Sequence, residues 1–144
     1  MTILWRDQMS VGNNSIDSDH RYLICLVNMV ELCLQTPEDK EMLMGVFDML
    51  LSYTQEHFSR ESKMQYQMKY NRYDIHRVEH QNLIVDAERI RKELESMDTP
   101  AKIEREAKRI VTFLRAWLVN HVLKEDMLMR PYLTKLPPDW RPKL

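Results

Sequence analysis

The chain has few residues that break a helix. Only 2 glycines and 6 prolines occur among 144 residues, while Leu, Met, Glu, Lys and Arg abound. That composition favours helix. No charge of one sign dominates: 21 Lys and Arg stand against 22 Asp and Glu, and the basic residues are spread along the chain. Such a balance supplies no field for nucleic acid. No apolar run approaches the ~20 residues of a membrane span, and MTILWRDQMS lacks the apolar core and cleavage site of a signal peptide. A cytoplasmic protein is expected. Cysteine is scarce too. Cys25 and Cys33 fall eight residues apart on one predicted helix, where their Cα atoms would be ~12 Å apart, beyond the ~7 Å a disulfide spans. Two buried, reduced thiols are the expectation, in keeping with the same compartment.

What the sequence does have is period. Residues 1–16 form an arm without helical or strand pattern, with Gly12-Asn13-Asn14 as loop and Trp5, Val11 and Ile16 as its anchors. A first helix over about 17–35 starts at Asp17 or Ser18 and carries a stripe of His20, Leu23, Val27, Val30 and Leu34. Thr36-Pro37 opens a second over 37–69, whose seam is Leu43, Phe47, Leu50, Thr54, His57, Glu61, Met64 and Met68. Tyr70-Asn71-Arg72-Tyr73 reads as a turn. A third helix over 73–96 carries His76, His80, Leu83, Ala87, Ile90 and Leu94. Thr99-Pro100 opens a fourth over 100–130, with Ile103, Ala107, Ile110, Leu114, Trp117 and His121 on its seam. Pro131 ends it, and 131–144 is an irregular tail. The fold class is all-α: a single domain over 1–144, an antiparallel up-down-up-down four-helix bundle with an N-terminal arm and a short C-terminal tail.

The seams carry an anomaly. All five histidines, and Glu61, stand where a plain bundle would place Leu or Ile. A buried polar group without a partner costs a few kcal/mol, roughly, and an unpaired carboxylate more. The spacing offers a common compensation. About the turn near 36, His20 lies 16 residues before and His57 21 after; about that near 71, Glu61 lies 10 before and His80 9 after. About the turn near 98, His80 lies 18 before and His121 23 after. In an antiparallel bundle these offsets bring the side chains to one end. His57 and Glu61, and His76 and His80, are moreover pairs four apart on one helix face. Asp126, five residues after His121, joins them only if the helix is locally widened into a π-bulge, because five α-helical residues turn through ~140°. Histidine with carboxylate and no thiolate suits iron or zinc. A structural zinc would use four ligands, whereas seven donors suit two octahedral irons with one position left open.

Trp5, Val11-Gly12, Ile16-Asp17-x-x-His20, His57-Phe58-x-x-Glu61, His76-x3-His80 and Trp117-Leu118-x-x-His121-x4-Asp126, taken together, resemble the hemerythrin family in its single-domain bacterial form, the bacteriohemerythrins. The resemblance runs along nearly the whole chain. It implies two non-haem iron ions joined by an oxo or hydroxo bridge, one held by His76, His80 and His121, the other by His20 and His57. Glu61 and Asp126 would bridge them. It further implies reversible dioxygen binding at the two-histidine iron, for oxygen storage or delivery. Leu23, Phe58, Trp117, Leu118 and Val122, close in sequence to the ligands and mostly apolar, are the candidate oxygen pocket; a dry pocket without a proton donor disfavours irreversible oxidation. A binding protein rather than an enzyme is expected, and a monomer is compatible with the pattern. The alternatives are a di-iron oxygen or redox sensor, or an oxidoreductase acting on peroxide or nitric oxide. Three positions depart from the family's usual residues, none of them a ligand: Asp19, Ser62 and Asn71.

Overall fold

Asn13 begins the first helix: its side-chain oxygen accepts from the backbone N–H of Ser15 and Ile16, satisfying donors that a helix start leaves without partners. In the computed structural model, which describes residues 2–143 apart from the side chains of Val122 and Leu123, four long helices follow one another. They are α1 (Asn14–Leu34), α2 (Lys40–Gln67), α3 (Tyr73–Ser96) and α4 (Pro100–Val119). A π-helical turn, Asn120–Glu125, and a 3-10 turn, Asp126–Met129, extend α4 into a short α5, Arg130–Leu133. No strand occurs among the described residues. α1 packs against α2 and α4, and α3 against α2 and, less extensively, α4. This is the expected antiparallel four-helix bundle.

Several boundaries differ from the sequence expectation. α1 starts three residues before Asp17, because Asn13 caps it, so Asn14 is helical rather than loop. Thr36-Pro37 does not open α2; Thr36 Oγ1 turns back to the Cys33 carbonyl at 3.4 Å, and Asp39 caps the helix by accepting from Met42 N–H. Thr99 caps α4 as anticipated, accepting from Lys102 N–H, with Pro100 in the first turn. Pro131 does not stop the chain's helical course. It sits in the first turn of α5, where a missing N–H costs nothing. The arm also contains a 3-10 turn over Asp7–Met9. Cys33 is buried, but Cys25 is exposed. It shares an outward stripe with Tyr22, Met29 and Leu32, all exposed, at spacings of 3, 4 and 3.

The core falls into two apolar clusters with a polar layer between them. The larger runs along the bundle through Leu23, Val27, Leu43, Phe47, Leu50, Ile90, Leu114, Trp117 and Leu118. The smaller, at one end, joins Val11, Ile16, Met64, Tyr70, Met129 and Leu133, with Trp140 packed on it. Along α1 the order is Ile16, His20, Leu23, and along α2 it is Leu50, His57, Glu61, Met64. The layer of buried histidines and carboxylates therefore separates the clusters. Each fully buried aliphatic side chain contributes roughly 1.5–3 kcal/mol, so both clusters hold the layer in place.

The tail straps the end over the smaller cluster. Asn13 Nδ2 donates to the Trp140 carbonyl at 2.9 Å and Asn14 N–H to that of Pro138 at 2.9 Å. Gln67 pairs with the Lys143 backbone in both directions, at 2.8 and 3.0 Å. Gly12, with φ of +85°, makes the bend from arm to α1 in a region that a Cβ disfavours, and a Cβ there would also meet Thr134 Cγ2 at 3.3 Å.

Candidate metal centre

Seven side chains from α1, α2, α3 and the two turns that extend α4 meet in the polar layer. α1 supplies His20, α2 supplies His57 and Glu61 one turn apart, and α3 supplies His76 and His80 in the same spacing. His121 lies in the π-helical turn and Asp126 follows it. The widened turn is what admits Asp126: its N–H bonds to the His121 carbonyl five residues back, so the two side chains can share a face that an α-helix would deny them. All seven are buried, and His20, His57, Glu61 and Asp126 have no exposed surface.

Each of the five imidazoles directs Nε2 at a carboxylate. His20 Nε2 is 2.6 Å from Asp126 Oδ2, His121 Nε2 3.1 Å, and His57 Nε2 3.7 Å. His57 Nε2 lies 2.9 Å from Glu61 Oε2. On the other side, His76 Nε2 approaches Asp126 Oδ1 at 3.1 Å and Glu61 Oε1 at 3.4 Å, while His80 Nε2 is 3.3 Å from Glu61 Oε1. Glu61 thus turns Oε2 toward His57 and Oε1 toward His76 and His80, while Asp126 turns Oδ2 toward His20, His57 and His121 and Oδ1 toward His76. Two overlapping sets of donor atoms lie within 4.8 Å of one another: His20, His57, Glu61, His121 and Asp126, and Glu61, His76, His80, His121 and Asp126.

The donor set fits cations better than it fits itself. Apart from the His20–Asp126 contact, these approaches lack hydrogen-bond geometry: both Glu61 oxygens, Asp126 Oδ1 and Nε2 of His57, His76, His80 and His121 have no hydrogen-bond partner. An orphaned buried polar atom costs roughly 1–3 kcal/mol, and seven such atoms converge on one volume. Without a cation, protons do the compensating. Burial alone would lower the His57 pKa, yet Glu61, Asp126 and Asp19 raise it well above the usual value. His76 is raised against the same burial by Asp126 and Glu61, whereas burial prevails at His80 and lowers it. Burial and Asp126 push the Glu61 carboxyl up, but His57 and His80 bring it down to about 2. Asp126 is likewise carried against burial to well below the carboxylate range by His121, His20 and His57.

Two outer contacts orient the rings. Asp19 Oδ2 accepts from His57 Nδ1 at 3.0 Å. Gln65 faces His76 Nδ1 and also Met129 Sδ, at 3.1 Å from the latter. It is the amide nitrogen Nε2 that faces the ring; only an amide rotated to present Oε1 would accept from His76 Nδ1–H and leave the ring's Nε2 bare. In the sequence Asp19 stands out only as a departure from the family's usual residue, and Gln65 does not stand out at all. A usable signal was its spacing, four after Glu61.

The candidate oxygen-pocket residues are distributed around this layer. Phe58 stacks on His80 with ring centroids 3.7 Å apart and planes 2° from parallel, and its centroid is 5.0 Å from that of His121. Leu23 and Leu118 are buried in the larger cluster next to the layer. Trp117 donates its indole N–H to the Leu83 carbonyl at 3.0 Å and lines, with Leu83, Phe113 and His121, an open groove between α3 and α4. The Val122 side chain lies outside the described residues.

Fold and site together define a helical-bundle protein with a buried histidine–carboxylate cation-binding centre. The hemerythrin HHE cation binding domain model matches residues 11–133, and the chain belongs to that family. It is 24% identical over 139 residues to a bacteriohemerythrin of Ralstonia nicotianae, covering 96% of this chain and 94% of that one. To the bacteriohemerythrin of Clostridium acetobutylicum it is 25% identical, over 85% of this chain and 95% of the relative. The crystal structure of a wild-type hemerythrin superimposes with a TM-score of 0.80 at 22% identity, over 93% of this chain and 99% of that one. That likeness supports the fold. No helix among the described residues is long and apolar enough to cross a membrane.

Proposed function

We propose that the chain, acting as one domain over 1–144, binds dioxygen reversibly at a non-haem di-iron centre for storage or delivery in the cytoplasm. The observation that carries this reading is that both carboxylates are shared among the histidines, Glu61 turning Oε2 to His57 and Oε1 to His76 and His80, and Asp126 turning Oδ2 to His20, His57 and His121 and Oδ1 to His76. Glu61 and Asp126 would then serve both ions, with His20 and His57 holding one and His76, His80 and His121 the other. When bound, two ferrous ions supply the electrons that dioxygen uptake draws on and release returns.

The protein's own contribution is placement and dryness. Five Nε2 atoms and two carboxylates are held by α1, α2, α3 and the two turns that extend α4. Leu23, Phe58, Trp117, Leu118 and Val122 are the pocket lining in this reading. Leu23 and Leu118 are 1% exposed, Phe58 6% and Trp117 7%. Leu23, Phe58, Trp117 and Leu118 are apolar and little exposed, and the one N–H among them, on Trp117, is already engaged with Leu83. A lining that offers no free proton favours holding and releasing dioxygen over turning it over.

The test is an optical spectrum and metal analysis on protein reconstituted with ferrous iron under nitrogen, exposed to air and then degassed. Absorption that appears in air and disappears on degassing, with two irons per chain, is the expected result. Oxidation that does not reverse, at the same iron content, would defeat the carrier reading and favour a sensor or an oxidoreductase.

A further inference from the structure

Asp19 spends every acceptor position it has. Oδ1 accepts from the Tyr53 hydroxyl at 2.8 Å and from Arg60 Nη2 at 2.9 Å; Oδ2 accepts from Arg60 Nε at 2.9 Å and faces His57 Nδ1 at 3.0 Å. Two contacts per oxygen fill the carboxylate's four lone-pair positions, and the bidentate Arg60 contact fixes its plane. Asp19 is 6% exposed and His57 is fully buried, so water has little chance to replace either. An ionised carboxylate only accepts. His57 must therefore carry its ring proton on Nδ1, and a neutral ring then has a bare Nε2 directed at Glu61 and Asp126.

From this we infer that Asp19 is a positioning residue for one of the two metal positions, and that Arg60 and Tyr53 hold it in that role. The inference rests on the reading of His57 as a metal ligand. It also assigns a use to two adjacent residues of α1: His20 enters the centre itself, while Asp19, about 100° around the helix, aims the second histidine of the same position from outside. His76 and His80 make no contact with Asp19, so the effect is confined to the end served by His20 and His57. Arg60 has 39% of its side chain exposed, which leaves the outermost member of the chain Arg60–Asp19–His57 at the surface. Loss of such an outer partner typically weakens metal binding by about 10- to 100-fold.

The experiment is a zinc(II) titration of the metal-free full-length protein, comparing wild type, D19N and D19L, with histidine-labelled nitrogen NMR on the zinc-loaded forms. Zinc is redox-silent, so the readout is affinity and tautomer rather than oxygen binding. Wild type is expected to take up two equivalents and to show a proton on His57 Nδ1. D19N, which keeps an acceptor but loses the charge and half of the Arg60 clamp, should lose about tenfold in affinity for one equivalent alone. D19L should lose more and release the Nδ1 tautomer. If D19L fails to fold, D19N decides. Unchanged affinity and tautomer in the variants would overturn the inference, as would equal loss of both equivalents, which would make Asp19 a general stabiliser. Failure of wild type to bind zinc would instead remove the ligand reading beneath it.

Discussion

Glu61 and Asp126 are the two residues on which the centre's charge depends. Glu61 reaches Nε2 of His57, His76 and His80, and Asp126 reaches Nε2 of every histidine in the layer except His80. Truncating one partner of a buried ionic group leaves the others stranded, at a cost on the order of 3–5 kcal/mol. E61A should therefore lose iron and lower the urea-unfolding free energy by about that amount. H121A, which removes the histidine common to both donor sets, should lose iron with a smaller stability loss of about 1–3 kcal/mol. Metal analysis and urea melts of both variants check this; full iron content and wild-type stability in the two would sink the ligand assignment. At this scale the sequence was most legible where polarity contradicted burial. Five histidines and Glu61 on apolar seams could be read directly, and they are buried together. Asp19 and Gln65 were harder, because a residue that serves a ligand from outside has only the spacing of an ordinary polar neighbour. Arg60, half in water, carried no signal at all.

At the scale of elements, periodicity determined which segments are helices, while cap chemistry determined where they begin. The seams of α1 to α4 bury most of the residues that their spacing indicated, with Met68, Leu83 and Ala107 only partly buried. The starts of α1 and α2 shifted, because Asn13 and Asp39 outcompeted Asp17 and Thr36-Pro37 as caps. A cap depends on which side-chain oxygen reaches which N–H, and several neighbouring Ser, Thr, Asp and Asn residues offer the same chemistry. The π-helical turn was legible only as a requirement, since nothing in Asn120–Glu125 itself announces it. Asn13 carries two tasks, capping α1 through Oδ1 and holding the tail at Trp140 through Nδ2. N13A should lose both, about 1–2 kcal/mol of stability, whereas N13D should keep the cap and lose only the tail contact. Iron content should stay at the wild-type level in each, because neither group touches the layer. Equal destabilisation by the two substitutions, measured in urea, would show that the cap is not the larger contribution.

For the whole molecule, the same layer must be stabilised in two ways, by protons when the metal is absent and by cations when it is present. The two states answer oppositely to pH. In the metal-free protein His57 and His76 are raised above their ordinary 6.5. Their stabilisation is complete below 6.5 and is lost as pH rises through the raised values. His80, lowered from 6.5, works the other way, one ring against two. Glu61, lowered from 4.5 to about 2, stabilises above 4.5 and loses that contribution as pH falls toward 2; Asp126, lowered well below the carboxylate range against the same burial, follows the same course. The layer therefore favours the metal-free fold most between about 4.5 and 6.5. Metal binding requires bare imidazole nitrogens and ionised carboxylates, so the cations compete with those protons and gain as pH rises. The midpoint of thermal unfolding of metal-free protein should fall between pH 6.5 and 8.5, while that of iron-loaded protein holds or rises, and the gap between them should widen. Scanning calorimetry on both forms across that range measures it directly. A metal-free midpoint that climbs with pH would mean that the histidines are not protonated against Glu61 and Asp126, and that some other arrangement keeps seven polar side chains buried between two apolar clusters.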